Sequence, residues 1–303
     1  MKHLFIVNPT AGGHDASGEV RAKVEAAFAS REDEYEIYVT KAPMDAPDKI
    51  REEAAGGGHL RVYACGGDGT FNECVCGAAQ LENVAVAPFP TGTGNDFCRM
   101  FDAEGELYRD LDALLDGGVH PIDAIECCGR YSVNICSVGI DARIGTNVHK
   151  YSSLPVIGGA GAYVVSAAVE MFKGISRHMR ISTDGYEGDG KYSLVCVCNG
   201  RYYGGGFNPS LDARPDDGEL DIFIASKVNI IQFAALIGKY ASGHAGEMKN
   251  IVTHLKGDHI TIDFDEDNVI NLDGEAIYTK KAEMRLLRNA VNLIVPRGMK
   301  FFE

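Results

Sequence analysis

An α/β domain followed by an all-β domain is the fold class that this 303-residue sequence predicts. Three observations carry it. Strand-like and helix-like segments alternate as far as Asp123, the pattern of a parallel sheet covered on both faces. From Ile122 onward apolar residues recur with period two between turns rich in Gly, Asp and Asn, which makes an antiparallel sheet or sandwich. Between the two patterns in importance stands Leu60–Ala79, where an apolar run enters a glycine turn and leaves as a helix. The domain boundary is placed at residues 123/124, the second domain spans 124–290, and the tail from about 291 to 303 is expected to return to the first.

Taken in order, His3–Asn8 (HLFIVN) is a short buried strand, and Ser17–Ala29 has helical spacing at Val20, Val24, Ala27 and Phe28. Tyr35–Thr40 is a strand with Ile37 and Val39 on one face. Asp45–Ala55 is a polar surface helix closed by Gly56-Gly57-Gly58. Leu60–Cys65 is the next strand, Phe71–Ala79 its helix, and Val84–Pro88 the fourth strand. A helix at Leu107–Leu115 precedes the strand holding Asp123. Beyond the boundary the strands are Tyr131–Val138, Met179–Thr183, Tyr192–Asn199, Leu220–Ala225, Ile251–Leu255, His259–Phe264, Val269–Leu272, Ala282–Arg288 and Val291–Val295. Helices near Gly161–Lys173 and Asn229–Ser242 interrupt them.

Ligands of parallel sheets bind beyond the carboxyl ends of the strands. The loops Asn8–Gly13, Thr40 onward, Gly66–Thr70 and Pro90–Asp96 gather at that edge. In Cys65-Gly66-Gly67-Asp68-Gly69-Thr70-Phe71-Asn72-Glu73, backbone N–H groups and a helix dipole converge on one spot, which suits phosphate oxygens. The glycines let the chain turn and let a ligand approach, although such a turn can also be purely structural. Asp68 among those amides makes sense with a magnesium ion or water between it and a polyphosphate. In Pro90-Thr91-Gly92-Thr93-Gly94-Asn95-Asp96, Asn95 or Asp96 could simply cap the short helix that follows. Two threonines and two glycines beforehand favour phosphate contacts, with Asp96 helping to hold the metal. In the second half, Arg214-Pro215-Asp216-Asp217-Gly218-Glu219 is either an ordinary turn or a small Mg²⁺ site, and Asn271-Leu272-Asp273-Gly274-Glu275 alone is a hairpin signal.

Composition narrows the classes. A net charge of −14 argues against nucleic acid held by phosphate contacts and against general adhesion to anionic lipid. Nine cysteines without a CxxC pair, and no leader at the start, are expected of reduced thiols in a cytoplasm. No HExxH or GxSxG occurs. Tyr151–Val169 carries no charge, but Pro155 and Gly158, Gly159 and Gly161 break it. A loop and then a buried or lipid-facing helix at Gly161–Phe172 fits better than a span. The cluster Lys173, Arg177, His178 and Arg180 after it is either a solvated helix end or a membrane-facing lip.

Together these stretches resemble the diacylglycerol kinase catalytic-domain family, which includes sphingosine kinases and bacterial lipid kinases. The carrying motifs are NPTAGG (8–13), TKAPMDA from Thr40, GGDGTFNE (66–73), PTGTGNDF (90–97), GGG (204–206), DDGELD (216–221) and NLDGE (271–275), in the family's order over nearly the whole chain. GGDGT alone is shared with NAD kinases. The resemblance implies a Rossmann-like domain, a β-sandwich and an active site in the cleft between them. It implies ATP at Asn8, Pro9, Thr10, Gly12, Gly13, Thr40, Gly66, Gly67, Asp68, Gly69, Thr70, Asn72, Glu73, Thr91, Gly92, Thr93 and Asn95. Asp68, Asp96 and Asp123 correspond to its aspartate network around catalytic Mg²⁺, and Asp217 to a structural Mg²⁺ ligand with main-chain oxygens of Arg214 and Glu219. Glu275 matches the family's proposed general base, with Asp273 beside it. Two positions depart from the pattern: Ser210-Leu211 stands where the family commonly has Ala-Pro, and His14 rather than a lysine follows the first loop.

The activity expected is transfer of the γ-phosphoryl of ATP, with Mg²⁺, to a lipid hydroxyl, most readily of diacylglycerol, by a protein meeting its lipid substrate peripherally at the membrane surface. Whether it works as a homodimer is left open. Two other readings stand beside it: an NAD kinase-like phosphotransferase, against which PTGTGND and NPTAGG speak, and a lipid-binding module without catalysis, for which so many carboxylates at glycine turns have no use.

Overall fold

The computed structural model describes residues 1–11, 15–92, 95–152, 166, 169–171 and 173–303. The Gly161–Phe172 helix expected from the sequence lies mostly outside these residues. The chain divides into two compact units, Met1–Ala124 with Leu287–Glu303, and Ile125–Leu286. Among the described residues no helix is long and apolar enough to cross a membrane.

In the first unit, strands β1 (Lys2–Val7), β2 (Glu34–Val39), β3 (Leu60–Gly66) and β4 (Val84–Pro90) alternate with helices α1 (Ser17–Phe28), α2 (Asp45–Ala54) and α3 (Asp68–Ala78). All their pairings are parallel, β2 and β3 flanking β1 and β4 following β3. The far edge is closed by the end of the chain's last strand, where Asn292 and Leu293 run parallel to Ala85 and Val86 of β4. Every residue of β3 and β4 is buried. That is why these strands appear as continuous apolar runs rather than alternating ones. Phe5 stacks on Tyr63 at 4.6 Å across the sheet. Register sets Val7 opposite both Val39 and Cys65, and Gly66 opposite Pro90, so four strands end level.

Two local predictions change. Helix α3 starts at Asp68 rather than Phe71, with Gly67 extended at φ −101° as its N-cap. Gly66 needs no left-handed backbone; a Cβ there would meet Thr70 Oγ1 at 2.3 Å, so close packing is what requires glycine. The single helix expected at Leu107–Leu115 is instead a 3₁₀ stretch, Asp102–Arg109, and a short helix α5 (Leu111–Leu115), after the one-turn α4 (Asp96–Arg99). Asp110 divides them because its carboxylate caps the second piece, accepting from Ala113 N–H at 3.0 Å.

The second unit is antiparallel. It contains the end of β5 (Gly118–Cys127), then β6 (Arg130–Ser132), β7 (Ile135–Gly139), α6 (Ile140–Ser152), β8 (Arg177–Thr183), β9 (Tyr186–Cys198), β10 (Leu220–Ser226), α7 (Ile230–Ala241), β11 (Val252–Gly257), β12 (His259–Leu272) and the first part of β13 (Glu275–Val295). The long strands β9 and β12 each pair with β8 at one end and with β7 at the other, so these four pairings close into a ring. Inside it Cys136, Val138, Ile181, Val195, Val197, Ile262 and Ile270 form one core. The opposite sides of β9 and β10, with Cys196, Cys198 and Phe223, pack against Leu236 and Tyr240 of α7.

Where the sequence predicts separate strands at His259–Phe264 and Val269–Leu272, one strand runs through a register shift between Asp263 and Asn268. Likewise Ala282–Arg288 and Val291–Val295 belong to one strand, β13. Tyr131–Val138, expected whole, is broken between β6 and β7 for a reason given below.

Candidate active site

The carboxyl ends of the parallel strands carry most of the predicted residues of the first unit. Asn8 leaves β1 with its N–H on Cys65 O at 3.2 Å and its Nδ2 on Thr70 Oγ1 at 3.2 Å, so the first and third loops are tied together. Its Oδ1 accepts from Thr10 N–H at 3.0 Å and from Thr10 Oγ1 at 2.8 Å, folding Pro9-Thr10 into a tight turn. Thr40 N–H donates to Val7 O at 2.9 Å. Gly12, Gly13 and Thr93 lie outside the described residues.

The first turn of α3 holds Asp68, Gly69 and Thr70, whose amides have no partner within the helix; a helix start offers such N–H groups and a positive dipole end to anions. Asp68 reaches across to the second glycine loop. Its Oδ1 accepts from Asp96 N–H at 2.7 Å and from Phe97 N–H at 3.5 Å. Asp68 and Asp96 are therefore neighbours, and Asp96 in turn has Arg99 at 3.5 Å. Asn95 Oδ1 caps α4 by accepting from Cys98 N–H at 3.0 Å, the structural role open to it. Its other end is different: the buried Asn95 Nδ2 and the buried Thr91 Oγ1 have no hydrogen-bond partner among the described residues. Buried donors of this kind are costly unless something accepts from them. Phosphate oxygens would, so the residues present fit a polyphosphate.

Asn72 and Thr70 are buried in α3 and Glu73 is half-buried; Thr91 and Gly92 lead from β4 into the loop. Two cations at the end of β4 escape the motif reading. Lys23 of α1 lies with its Nζ 5.7 Å from the centre of the Phe89 ring, and Arg109 donates to Pro90 O at 3.2 Å. Neither stands in a glycine loop, so only the folded chain places them. Burial pushes the thiols of Cys65, Cys74 and Cys98 well up, which leaves them as packing rather than as nucleophiles. Asp123 is buried, and its Oδ1 accepts from the N–H of Asn289, a residue at φ 53°.

In the second unit the NLDGE turn joins β12 to β13. Asp273, at φ 49°, accepts from Ser132 Oγ at 2.6 Å and from the N–H groups of Val133, Asn134 and Ile135 at 3.0, 3.2 and 2.9 Å. Here is the reason that β6 and β7 separate: three successive amides turn away from the ladder to this carboxylate. Its oxygens hold this loop, a structural role that stands beside the catalytic one implied by the resemblance. Glu275 opens β13 opposite Leu272, half-buried, and its carboxylate makes no hydrogen bond or ion pair among the described residues.

Asp217 sits in a turn, its Oδ1 accepting from Glu219 N–H at 3.0 Å, while burial of the carboxyl group pushes its pKa up. The Arg214 guanidinium meets Asp216 at 3.0 Å and the Glu219 carboxylate meets Lys256 at 3.0 Å. Among the described residues no three Asp, Glu, His or Cys side chains gather at Asp217. Gly204, Gly205 and Gly206 have φ of 60°, 85° and 121°, a run that only glycine adopts without strain. The basic cluster, read as either a solvated helix end or a membrane-facing lip, has partners within the protein. Lys173 pairs with Glu170 at 2.7 Å, His178 with Asp189 at 2.8 Å and Arg180 with Asp265 at 2.9 Å, and Arg177 is spent on the carbonyls of Lys173 and Gly174.

Comparison with known proteins finds relatives over nearly the whole chain. Residues 2–127 match the diacylglycerol kinase catalytic domain, and residues 134–295 match the YegS C-terminal NAD kinase beta sandwich-like domain. A diacylglycerol kinase of Bacillus subtilis is 28% identical over 301 residues, covering 98% of this chain and 97% of that protein. A probable lipid kinase YegS-like protein of Pseudomonas aeruginosa is 29% identical over 298 residues, covering 98% of this chain and 95% of the other. The crystal structure of a diacylglycerol kinase from Bacillus anthracis superposes with a TM-score of 0.69 at 27% identity, over 99% of this chain and 98% of that one.

Proposed function

The chain belongs to the diacylglycerol kinase catalytic-domain family with a YegS-type C-terminal domain, a family of lipid kinases, and on that premise we propose that it transfers the γ-phosphoryl group of ATP to a lipid hydroxyl, that of diacylglycerol first. The observation that carries the ATP part is the pair of buried donors without acceptors among the described residues, Thr91 Oγ1 and Asn95 Nδ2, beside the helix start at Asp68. Phosphoryl transfer asks for positioning and compensation of negative charge more than for covalent catalysis. The amides of Asp68, Gly69 and Thr70 and these two donors would hold phosphate oxygens, with Asn8, Thr10 and Thr40 shaping the neighbouring loops. Lys23 and Arg109 would add positive charge. Mg²⁺ would supply charge neutralisation at the phosphates, and Asp68 and Asp96 are the carboxylates that would hold it. Asp123 would support that network from the strand beneath, and Asp217 with the main-chain oxygens of Arg214 and Glu219 would take a structural Mg²⁺. The parallel pairing of β1 to β4 supports a Rossmann-like reading of the first unit, in which a nucleotide would bind at the strand ends.

Glu275 would take the proton of the acceptor hydroxyl, a task for a carboxylate not already engaged. Diacylglycerol as acceptor is supported by the names of the relatives, since both Bacillus proteins are called diacylglycerol kinases. The test is radiolabelled ATP offered to the full chain with diacylglycerol, sphingosine, ceramide or NAD, with and without a chelator of Mg²⁺. Label in the diacylglycerol product, lost on chelation, is the expected result; label in NAD alone, or in none of the four, refutes the proposal.

A further inference from the structure

An acceptor dissolved in a bilayer has to be met at the bilayer surface, and α7 carries the feature suited to that. Its inner side is anchored: Phe233, Leu236 and Tyr240 are buried, Phe233 packs with Ile140 and Ile144, and Tyr240 Oη lies 2.7 Å from Tyr203 Oη. Its outer side is apolar. Ile230 and Ile231 are 60% and 79% exposed, and Ala234, Ala235 and Gly238 continue the same exposed face along the helix. At the far end Leu211, 46% exposed, packs over Gly243, where a Cβ would meet its Cγ at 2.3 Å. Single exposed apolar residues are ordinary on soluble proteins, but a run along one helix face marks an interaction site.

Charge says what covers it. The protein has 43 acidic residues, yet from Lys227 to Gly246 there is none. Lys227, just before the two isoleucines in sequence, is exposed and makes no ion pair among the described residues, whereas Lys239 on the last turn pairs with Glu247 at 2.6 Å. An amphipathic helix with an exposed apolar face and an unpaired cation at its start has the composition of an element that lies in a membrane interface. The helix start is also prepared for water-poor surroundings. Asn229 Oδ1 accepts from the N–H groups of Ile231 and Gln232, and Gln232 Oε1 accepts from Asn229 N–H, so a capping box satisfies donors that an apolar environment would leave unpaired. The exposed face lacks aromatic or arginine anchors, which a protein partner would be expected to use.

We infer that the outer face of α7, led by Ile230 and Ile231 with Lys227 just before them in sequence, inserts shallowly into the lipid bilayer that holds the acceptor. This rests on the lipid-acceptor reading. It also replaces the basic lip at Lys173–Arg180 as the membrane contact, since the cations of that lip are engaged within the protein.

The test is co-sedimentation of the full chain with vesicles of equal parts phosphatidylcholine and phosphatidylglycerol, without ATP. The double variant I230E/I231E is compared with wild type; acidic residues suit a helix's first turn, so α7 should persist by circular dichroism. The expected result is a loss of apparent vesicle affinity of about tenfold or more, the loss of two apolar side chains and the gain of two charges acting together. Activity toward detergent-dispersed diacylglycerol is expected to stay at the wild-type level while activity on vesicles falls. Vesicle binding unchanged by I230E/I231E overturns the inference. So does a wild-type dimer that the variant dissociates in sedimentation velocity, because the face would then cover a second copy. Failure of the kinase reading is seen separately, as absence of label transfer by the wild type in detergent.

Discussion

Asp68 is expected to do two things that substitution can separate. Its carboxylate accepts from the N–H of Asp96, a residue only 6% exposed, and lies in the first turn of α3. Replacing it by alanine leaves that buried N–H without this acceptor, about 1–3 kcal/mol, and removes a charge that favours the helix start, about 0.3–1 kcal/mol. Asp68→Ala should therefore lower stability by about 1–4 kcal/mol, and loosen the loop that carries Thr91 and Asn95. Asp68→Asn keeps an oxygen in place for the amide and loses only the charge, so its cost should be about 1 kcal/mol. At about 2–4 °C of Tm per kcal/mol for a chain with domains of this size, the two variants should differ clearly in calorimetry. In a Mg²⁺ titration at saturating ATP, both should lose most turnover, because the charge near the phosphates is gone in both. Equal loss of Tm in the two variants would show that the carboxylate does not hold the second glycine loop. Wild-type Mg²⁺ dependence in Asp68→Asn would show that it has no part in charge compensation.

Glu275→Gln should reduce turnover by about 10²–10⁴-fold while leaving ATP binding intact, and near-normal turnover would remove Glu275 from proton transfer. Asp273→Ala should act through stability. It strands the amides of Val133, Asn134 and Ile135, which are buried, and should cost about 3 kcal/mol or more in urea unfolding, whereas Asp273→Asn, which can still accept, should cost less. His3 predicts a pH dependence. Burial, and then the charge of Arg61, bring its pKa from 6.5 down to about 4 in the folded protein. Between these values the unfolded chain binds a proton that the folded one refuses, so stability is full above the unfolded value and is lost as pH falls toward the folded one. The loss should approach about 3 kcal/mol and be absent in His3→Gln, as read from urea midpoints at neutral and acid pH; an identical acid slope in that variant would remove His3 as the cause.

Much of the candidate site was legible because the turns that would hold phosphate are local patterns. Glycine turns between an apolar run and a helix mark Gly66–Thr70 and Pro90–Asp96 directly, and Glu275 follows a turn dipeptide between two strands. The cations were not legible. Lys23 and Arg109 approach the end of β4 from a helix and a 3₁₀ stretch with no motif of their own. Asp273 shows another kind of gap. Next to Glu275 it resembles a second catalytic acid, and only its contacts with residues some 140 positions earlier show that it holds a loop. The basic run from Lys173 to Arg180 likewise looks free in the sequence, because its carboxylate partners Asp189 and Asp265 come from other strands.

The order of secondary structure, the parallel and antiparallel halves, the two glycine loops and the family were determined by the sequence alone, because each depends on short-range periodicity and on residue types a few positions apart. Strand ends and register were settled by tertiary structure: β6 parts from β7 because Asp273 draws away their amides, and β9 and β12 bridge β7 and β8 because a closed ring buries more apolar surface than separate hairpins could. The same holds for the outer face of α7, whose isoleucines are indistinguishable in sequence from core residues. Which side of an apolar helix meets water is fixed by what packs against the other side.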